Sequence, residues 1–154
     1  MMPMTGGTDA IAGATARMVG AVLEYTHWPS ARTTVRLCLA GPTRHAGRLG
    51  EIILSNGARL DLFSFAGPGA IPLDTCDALY IGRLDPAVLR TVIVQAHGLP
   101  VVTIAEDDPQ CRGGAMFCLL YAAQSLSFQL NIDAVSRSAV RIDPRVLRLS
   151  KGGY

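Results

Sequence analysis

The side chains with chemistry to offer are four cysteines, three histidines and one acidic run. Cys38, Cys76, Cys111 and Cys118 contain no C-x-x-C pair, so a thioredoxin-type redox motif and a zinc ribbon both lack their signature. An even count in a small domain fits two disulfides and an oxidising compartment; it equally fits four buried thiols in a reducing one. Four cysteines allow three pairings. Cys111 and Cys118 are seven apart, with Gly113-Gly114 between them to let the chain fold back, and that local pair leaves Cys38 for Cys76. Loop-closure entropy gives the long bridge roughly 3–4 kcal/mol and the short one about 2.5 kcal/mol. None of His27, His45 and His97 has metal-ligand spacing with a cysteine or carboxylate. His97 ends a predicted helix, where the helix dipole is its plainer partner, and His45 reads as a solvated residue. The run Glu106-Asp107-Asp108 follows the C-terminal end of a predicted strand, a position that suits a metal but suits a solvated acidic loop better. No G-x-S-x-G elbow occurs. Gly67-Pro68-Gly69 lacks the later glycine, lysine and hydroxyl of a phosphate loop. No catalytic residue, metal site or cofactor is announced, and the chain reads as non-enzymatic.

Positioning such residues needs a core, and 154 residues can supply one as a single domain. Hydrophobic residues make up 49% and charged residues 17%, and with a mean hydropathy of +0.30 this argues against disorder. No stretch approaches the roughly 20 uninterrupted apolar residues of a membrane-crossing helix. A net charge of +2 with no basic stripe argues against nucleic acid as a partner. Of the 14 basic residues only Lys151 is a lysine, which genome composition alone explains. The segment Met1–Arg17 lacks a basic start followed by an apolar run. The chain therefore reads either as a mature domain whose export signal is removed or misassigned, or as a cytosolic protein.

Residues 1–9 are small and Gly-rich and are expected to be disordered, with residues 10–154 forming the domain. Ala10–Tyr25 reads as a helix from the spacing of Ile11, Ala14, Met18, Val22 and Tyr25, and His27-Trp28-Pro29 stops it. Val35–Ala40 is a buried strand ended by Gly41-Pro42. His45–Leu54 is a helix weakened by Gly47 and Gly50. Ala58–Phe65 alternates as a half-exposed strand, and Ala66–Pro72 is a Gly/Pro loop. Ala78–Gly82 and Leu99–Ala105 are buried strands around a helix that Asp85 caps, with Pro86 at its first position. Ala115–Ala122 and Ser125–Ile132 form an antiparallel hairpin; Phe128, Leu130 and Ile132 face one way and Ser127, Gln129 and Asn131 the other. Short helices follow at Asp133–Ser138 and Pro144–Leu149. Near-continuous apolar strands covered by helices predict an α/β fold. It is a single three-layer, Rossmann-like domain, with a mixed, mostly parallel sheet and a C-terminal antiparallel hairpin.

Several blocks carry a family likeness. They are Val22-Leu23-Glu24-Tyr25-Thr26-His27-Trp28-Pro29, Leu37-Cys38-Leu39-Ala40-Gly41, Cys76-Asp77-Ala78-Leu79-Tyr80-Ile81 and Pro100-Val101-Val102-Thr103-Ile104. The most specific are Gly113-Gly114-Ala115-Met116-Phe117, Ser127-Phe128-Gln129-Leu130-Asn131-Ile132-Asp133-Ala134 and Pro144-Arg145-Val146-Leu147-Arg148-Leu149. In this order and spacing the chain resembles the YfiR family over nearly its whole length. The resemblance implies an exported periplasmic regulator that represses a YfiN-like membrane diguanylate cyclase by binding its periplasmic sensor region. It also implies sequestration by a YfiB-like OmpA-type lipoprotein, control of cyclic-di-GMP and biofilm, and a homodimer. It supports the pairs Cys38–Cys76 and Cys111–Cys118, and places a small-ligand pocket near His27, Trp28 and Arg141. His27 stands where relatives often carry arginine, which weakens the case for an anionic ligand because histidine is mostly neutral at pH 7.

The C-terminal segment agrees with an interaction role. From Asp133 to Tyr154 there are five basic and two acidic residues, so the positive excess of the whole chain lies here. Apolar residues set among Arg137, Arg141, Arg145 and Arg148 suit a protein interface. By resemblance Val135, Arg141, Ile142, Pro144 and Leu147 are partner-binding, and Arg137 joins them. Docking of Val140 and Leu147 on the sheet explains those two equally well. The alternative is a periplasmic small-molecule sensor that uses the C-terminal ends of the parallel strands near Gly41, Gly82 and Glu106.

Overall fold

Alternation along the central strands builds two cores. In the computed structural model, which describes residues 2–3, 7–65 and 71–150, the strand β3 (Thr34–Ala40) sends Leu37 and Leu39 to one face and Cys38 and Ala40 to the other. The first face packs on α1 (Thr8–Glu24) through Ala14, Met18, Val19, Val22 and Leu23. Burying each of the larger of these contributes roughly 1.5–3 kcal/mol. The second face packs on α2 (Pro86–Ala96) through Val92, Ile93 and Ala96. Helix, sheet and helix are the three layers.

The remaining elements are β1 (Met2–Pro3), β2 (Thr26–His27), β4 (Arg59–Phe65), β5 (Ala78–Ile81), β6 (Val102–Ala105), β7 (Phe117–Tyr121), β8 (Ser125–Leu130), α3 (Ile132–Ser136) and β9 (Arg141–Ile142). The main sheet has the order β1-β8-β7-β6-β5-β3-β4. Strands β4, β3, β5, β6 and β7 are parallel, and β8 and β1 are antiparallel to their neighbours. The α/β class, the mixed parallel sheet and the β7–β8 hairpin match the sequence expectation. Of the segment expected to be disordered, Met2 and Pro3 pair with Leu126 and Ser125. Residues 1, 4–6, 66–70 and 151–154 lie outside the described residues.

Two expectations change, and one element is unforeseen. The helix foreseen over His45–Leu54 is only a 3-10 turn at Leu49–Glu51, because Gly47 and Gly50 weaken helix and a tertiary carboxylate, Glu106, takes the amides of Arg44 and His45. Ile132 does not continue the apolar face of β8; the strand ends at Leu130, and Ile132 opens α3 at 66% exposure. Asn131 causes the break, since its side chain accepts the Ala134 N–H as an N-cap. The two-stranded ribbon of β2 and β9 carries no alternating sequence signal, and it is the element that arranges the site.

Candidate functional site

The end of α1 and the C-terminal segment meet in that ribbon. Thr26 pairs with Ile142, and His27 pairs with Arg141. Thr26 is buried, and its hydroxyl donates to the Val22 carbonyl at 2.7 Å. The Asp143 N–H donates to the Tyr25 carbonyl at 2.9 Å, and the Arg145 guanidinium lies 6.0 Å from the Tyr25 ring centre. The Asp143 side chain caps the following 3-10 segment, Pro144–Leu149, through the Arg145 N–H and also pairs with the Arg145 guanidinium. The Arg145 side chain and N–H pull the Asp143 carboxyl down to about 2.

Trp28 leaves the ribbon and donates its indole N–H to the Asp77 carbonyl at 3.0 Å. The Asp77 carboxylate, 1% exposed, accepts the Arg32 Nε at 2.9 Å, the Arg36 N–H at 2.9 Å and the Arg36 Nε at 3.1 Å. Burial alone would raise its pKa, but the hydrogen bonds from Arg36 and Arg32 prevail and hold it below the usual carboxylate range. Asp77 stands at the start of β5, beside Cys76, whose bond to Cys38 ties that start to β3 with a Cα separation of 5.9 Å. Cys111 and Cys118 are joined with a Cα separation of 5.6 Å.

Beside this hub opens a cavity of about 490 Å³ whose lining includes Glu24, His27, Trp28, Arg32, Ser55 and Asn56. The Glu24 carboxylate accepts both the N–H and the hydroxyl of Ser55, closing one wall. Of the three expected ligand residues, His27 and Trp28 line this cavity, while Arg141 lies across the ribbon and is not part of its wall. Arg32 is the polar group that sequence reasoning missed. Its only signal was a position between Pro29 and a buried strand.

The C-terminal segment that holds the expected partner residues divides by burial. Val140 and Val146, which are not among those residues, sit in the core. Val135 and Ile142 are half-buried against it. Leu147, at 38% exposure, faces water, as do Pro144, Arg137 and Arg141. Arg137 pairs with Asp133 at 2.9 Å and Arg145 with Asp143 at 2.6 Å. These are the two acidic residues of the segment. Among the described residues the side chains of Arg141 and Arg148 have no ion-pair partner, and with Lys151, which lies outside the described residues, they make up the positive excess of the segment.

The acidic run serves the fold rather than forming a solvated loop. Glu106, 4% exposed, accepts the N–H groups of Arg44 and His45 and the Tyr80 hydroxyl. Asp108 accepts the Arg112 and Gly113 N–H groups. His45 is likewise not simply solvated: its ring lies 4.4 Å from that of Tyr121, and burial pushes its pKa down. The crevice between the ends of β3 and β5 is filled by the chain, with the Arg83 N–H donating to the Pro42 carbonyl and the Gly82 N–H to the Ala40 carbonyl. A Cβ on Gly82 would lie 2.0 Å from the Pro42 oxygen, so the glycine is what permits that closure. One strand further along, a cavity of about 380 Å³ is bounded by His45, Glu106 and Tyr121 among others.

Among the described residues no helix is long and apolar enough to cross a membrane. A family model described as YfiR/HmsC-like matches residues 12–151, a span that takes in both disulfides, the β2–β9 ribbon and the arginine-bearing C-terminal segment.

Proposed function

Because the chain belongs to the YfiR/HmsC-like family, we propose that it is a periplasmic, non-catalytic repressor of a membrane-bound diguanylate cyclase. It binds the periplasmic sensor region of a YfiN-like enzyme and is titrated away by a YfiB-like lipoprotein, so that cyclic-di-GMP and biofilm rise when it is withdrawn. The family is a regulatory one, and two disulfides suit an oxidising compartment.

The observation that carries this reading is the division of the C-terminal segment. Val140 and Val146 fasten it to the core, which leaves Leu147, Pro144, Arg141 and Arg148 presented on a rigid base. An apolar anchor beside unpaired arginines on a fixed backbone suits binding to an acidic, partly apolar protein surface. Titration calorimetry of the purified chain against the periplasmic region of a YfiN-like cyclase from the same genome tests the reading. Saturable binding with a fall in cyclase output in membranes is expected; absence of binding to that region refutes it.

A second reading has its own support in the 490 Å³ cavity, which is of ligand size. Trp28 offers an aromatic face there and Arg32 a cation. His27 belongs to the cavity wall and is also the register partner of Arg141, so a ligand in this cavity would act on the partner-binding segment directly. A thermal-shift screen of aromatic metabolites checks it, with stabilisation expected in the wild type and lost in Trp28→Ala.

A further inference from the structure

Two unmet demands converge on the cavity at the C-terminal end of β6, the one of about 380 Å³. The first is a hydrogen bond. Among the described residues the His45 Nδ1 is the one buried side-chain nitrogen or oxygen without a hydrogen-bond partner. A buried polar atom left unsatisfied is costly, and native folds keep few of them. The second is a charge. Glu106 is buried and accepts the N–H groups of Arg44 and His45 and the Tyr80 hydroxyl, yet among the described residues it has no ion-pair partner. Buried charges are ordinarily paired. Both residues belong to the cavity wall, and the His45 N–H bond to Glu106, at 3.0 Å, fixes one beside the other.

We propose that this cavity binds a small organic amine, whose ammonium donates to His45 Nδ1 in the field of Glu106 and Asp107 and whose hydrocarbon part lies on Ile11 and Leu120. One head group then meets both demands: its N–H satisfies the imidazole and its charge offsets the buried carboxylate. The sign of the wall agrees. It holds three carboxylates, of Glu106, Asp107 and Asp108, against one guanidinium, that of the exposed Arg44. Asp107 has only the solvent-exposed Arg83 near it, at 3.8 Å, a pair of little strength. Burial keeps the His45 ring neutral, and a neutral imidazole that carries its proton on Nε2 accepts at Nδ1. An anion would meet three like charges, and a neutral alcohol would leave Glu106 uncompensated. Among the described residues no three His, Cys, Asp and Glu side chains are placed to hold a metal ion, so the cation is an organic one. The wall is already ordered: the His45 ring rests on that of Tyr121, whose hydroxyl is bonded to the Thr15 hydroxyl at 2.8 Å. The ends of parallel strands are where open α/β sheets take ligands. This cavity shares no wall residue with the one beside Trp28.

Titration calorimetry of the full chain at neutral pH with n-hexylamine, 1-hexanol and hexanoate, joined to nitrogen NMR of the imidazoles, tests it. The three probes share one tail and differ only in the head group. Hexylamine is expected to bind saturably and at least about tenfold more tightly than hexanol, the difference a charge-assisted hydrogen bond makes, with hexanoate weaker still. The His45 Nδ1 resonance is expected to move as the amine saturates. His45→Phe and Asp107→Asn are each expected to weaken the amine at least about fivefold. No saturable binding of hexylamine overturns the proposal, as does hexanol or hexanoate binding as tightly, or an amine complex in which the His45 Nδ1 resonance stays in place. Should His45→Phe fail to fold, Asp107→Asn and the resonances of the wild type decide. Cyclase binding is measured separately, so failure of this site and failure of the regulatory reading are distinguishable.

Discussion

Arg141 lies opposite His27 in the register of the β2–β9 ribbon, and its guanidinium has no ion-pair partner among the described residues. A residue of the C-terminal segment is thereby held against the end of the first helix, with its charge unpaired among the described residues. Arg141→Glu is expected to change stability by less than about 0.5 kcal/mol, as an exposed substitution does. It is expected to weaken cyclase binding at least about tenfold, since a repelling charge replaces an attracting one. Chemical denaturation and calorimetry on the same sample check both halves.

Leu147 and Val146 are neighbours with opposite fates. Val146 is fully buried and Leu147 is 38% exposed. Val146→Ala is expected to cost roughly 2 kcal/mol of stability and to leave the partner affinity of the folded protein unchanged. Leu147→Asp is expected to do the reverse, retaining stability and losing binding. Urea melts beside a binding titration separate the two.

Asp77 carries Arg32 and Arg36 on its carboxylate and Trp28 on its carbonyl. Asp77→Ala leaves two guanidinium groups unpaired. The expected cost is about 2–3 kcal/mol, less than for a fully buried pair because both arginines keep some water. The loosened strand start also frees Trp28, so a red shift of the only tryptophan's emission accompanies the loss.

Removing the Cys38–Cys76 bridge by a double alanine substitution is expected to cost roughly 3–4 kcal/mol, and removing Cys111–Cys118 about 2.5 kcal/mol, from the chain each loop encloses. Guanidinium melts of both variants read the difference, and thiol labelling of the unfolded, non-reduced wild type should find no free cysteine.

Burial pushes the His45 pKa below its ordinary 6.5, against the opposing pull of Glu106. The unfolded chain therefore takes up this proton first as pH falls. The contribution of neutral His45 to stability is complete above pH 6.5 and declines below it, until the folded pKa is passed. Asp143 titrates in the other direction. Its carboxyl, held at about 2 against an ordinary 3.8, adds stability above 3.8 that is lost as pH falls through 2. The imidazole and carboxyl titrations of the folded protein by NMR check both signs. A His45→Phe variant, which keeps a ring against Tyr121, should lose the dependence that sets in as pH falls below 6.5.

The α/β class, both helices of the outer layers, every strand of the parallel sheet and the β7–β8 hairpin were legible in the sequence. These follow from local periodicity and from turn residues such as Gly41-Pro42, which neighbouring side chains encode without reference to distant ones. Spacing offered the cysteine pairing and the family blocks supported it; the blocks alone carried the nearness of His27 to Arg141. The rest depends on contacts between distant parts of the chain. The segment His45–Leu54 is shaped by a carboxylate 61 positions away from His45, a contact that no local window contains. β2 and β9 are two residues each, too short to alternate, and exist because α1 and the C-terminal segment are packed on the same face of the sheet. Burial at Val146 and exposure at Leu147 likewise depend on where the last 3-10 turns settle against the core, because residue type makes both apolar and only the packing chooses between them.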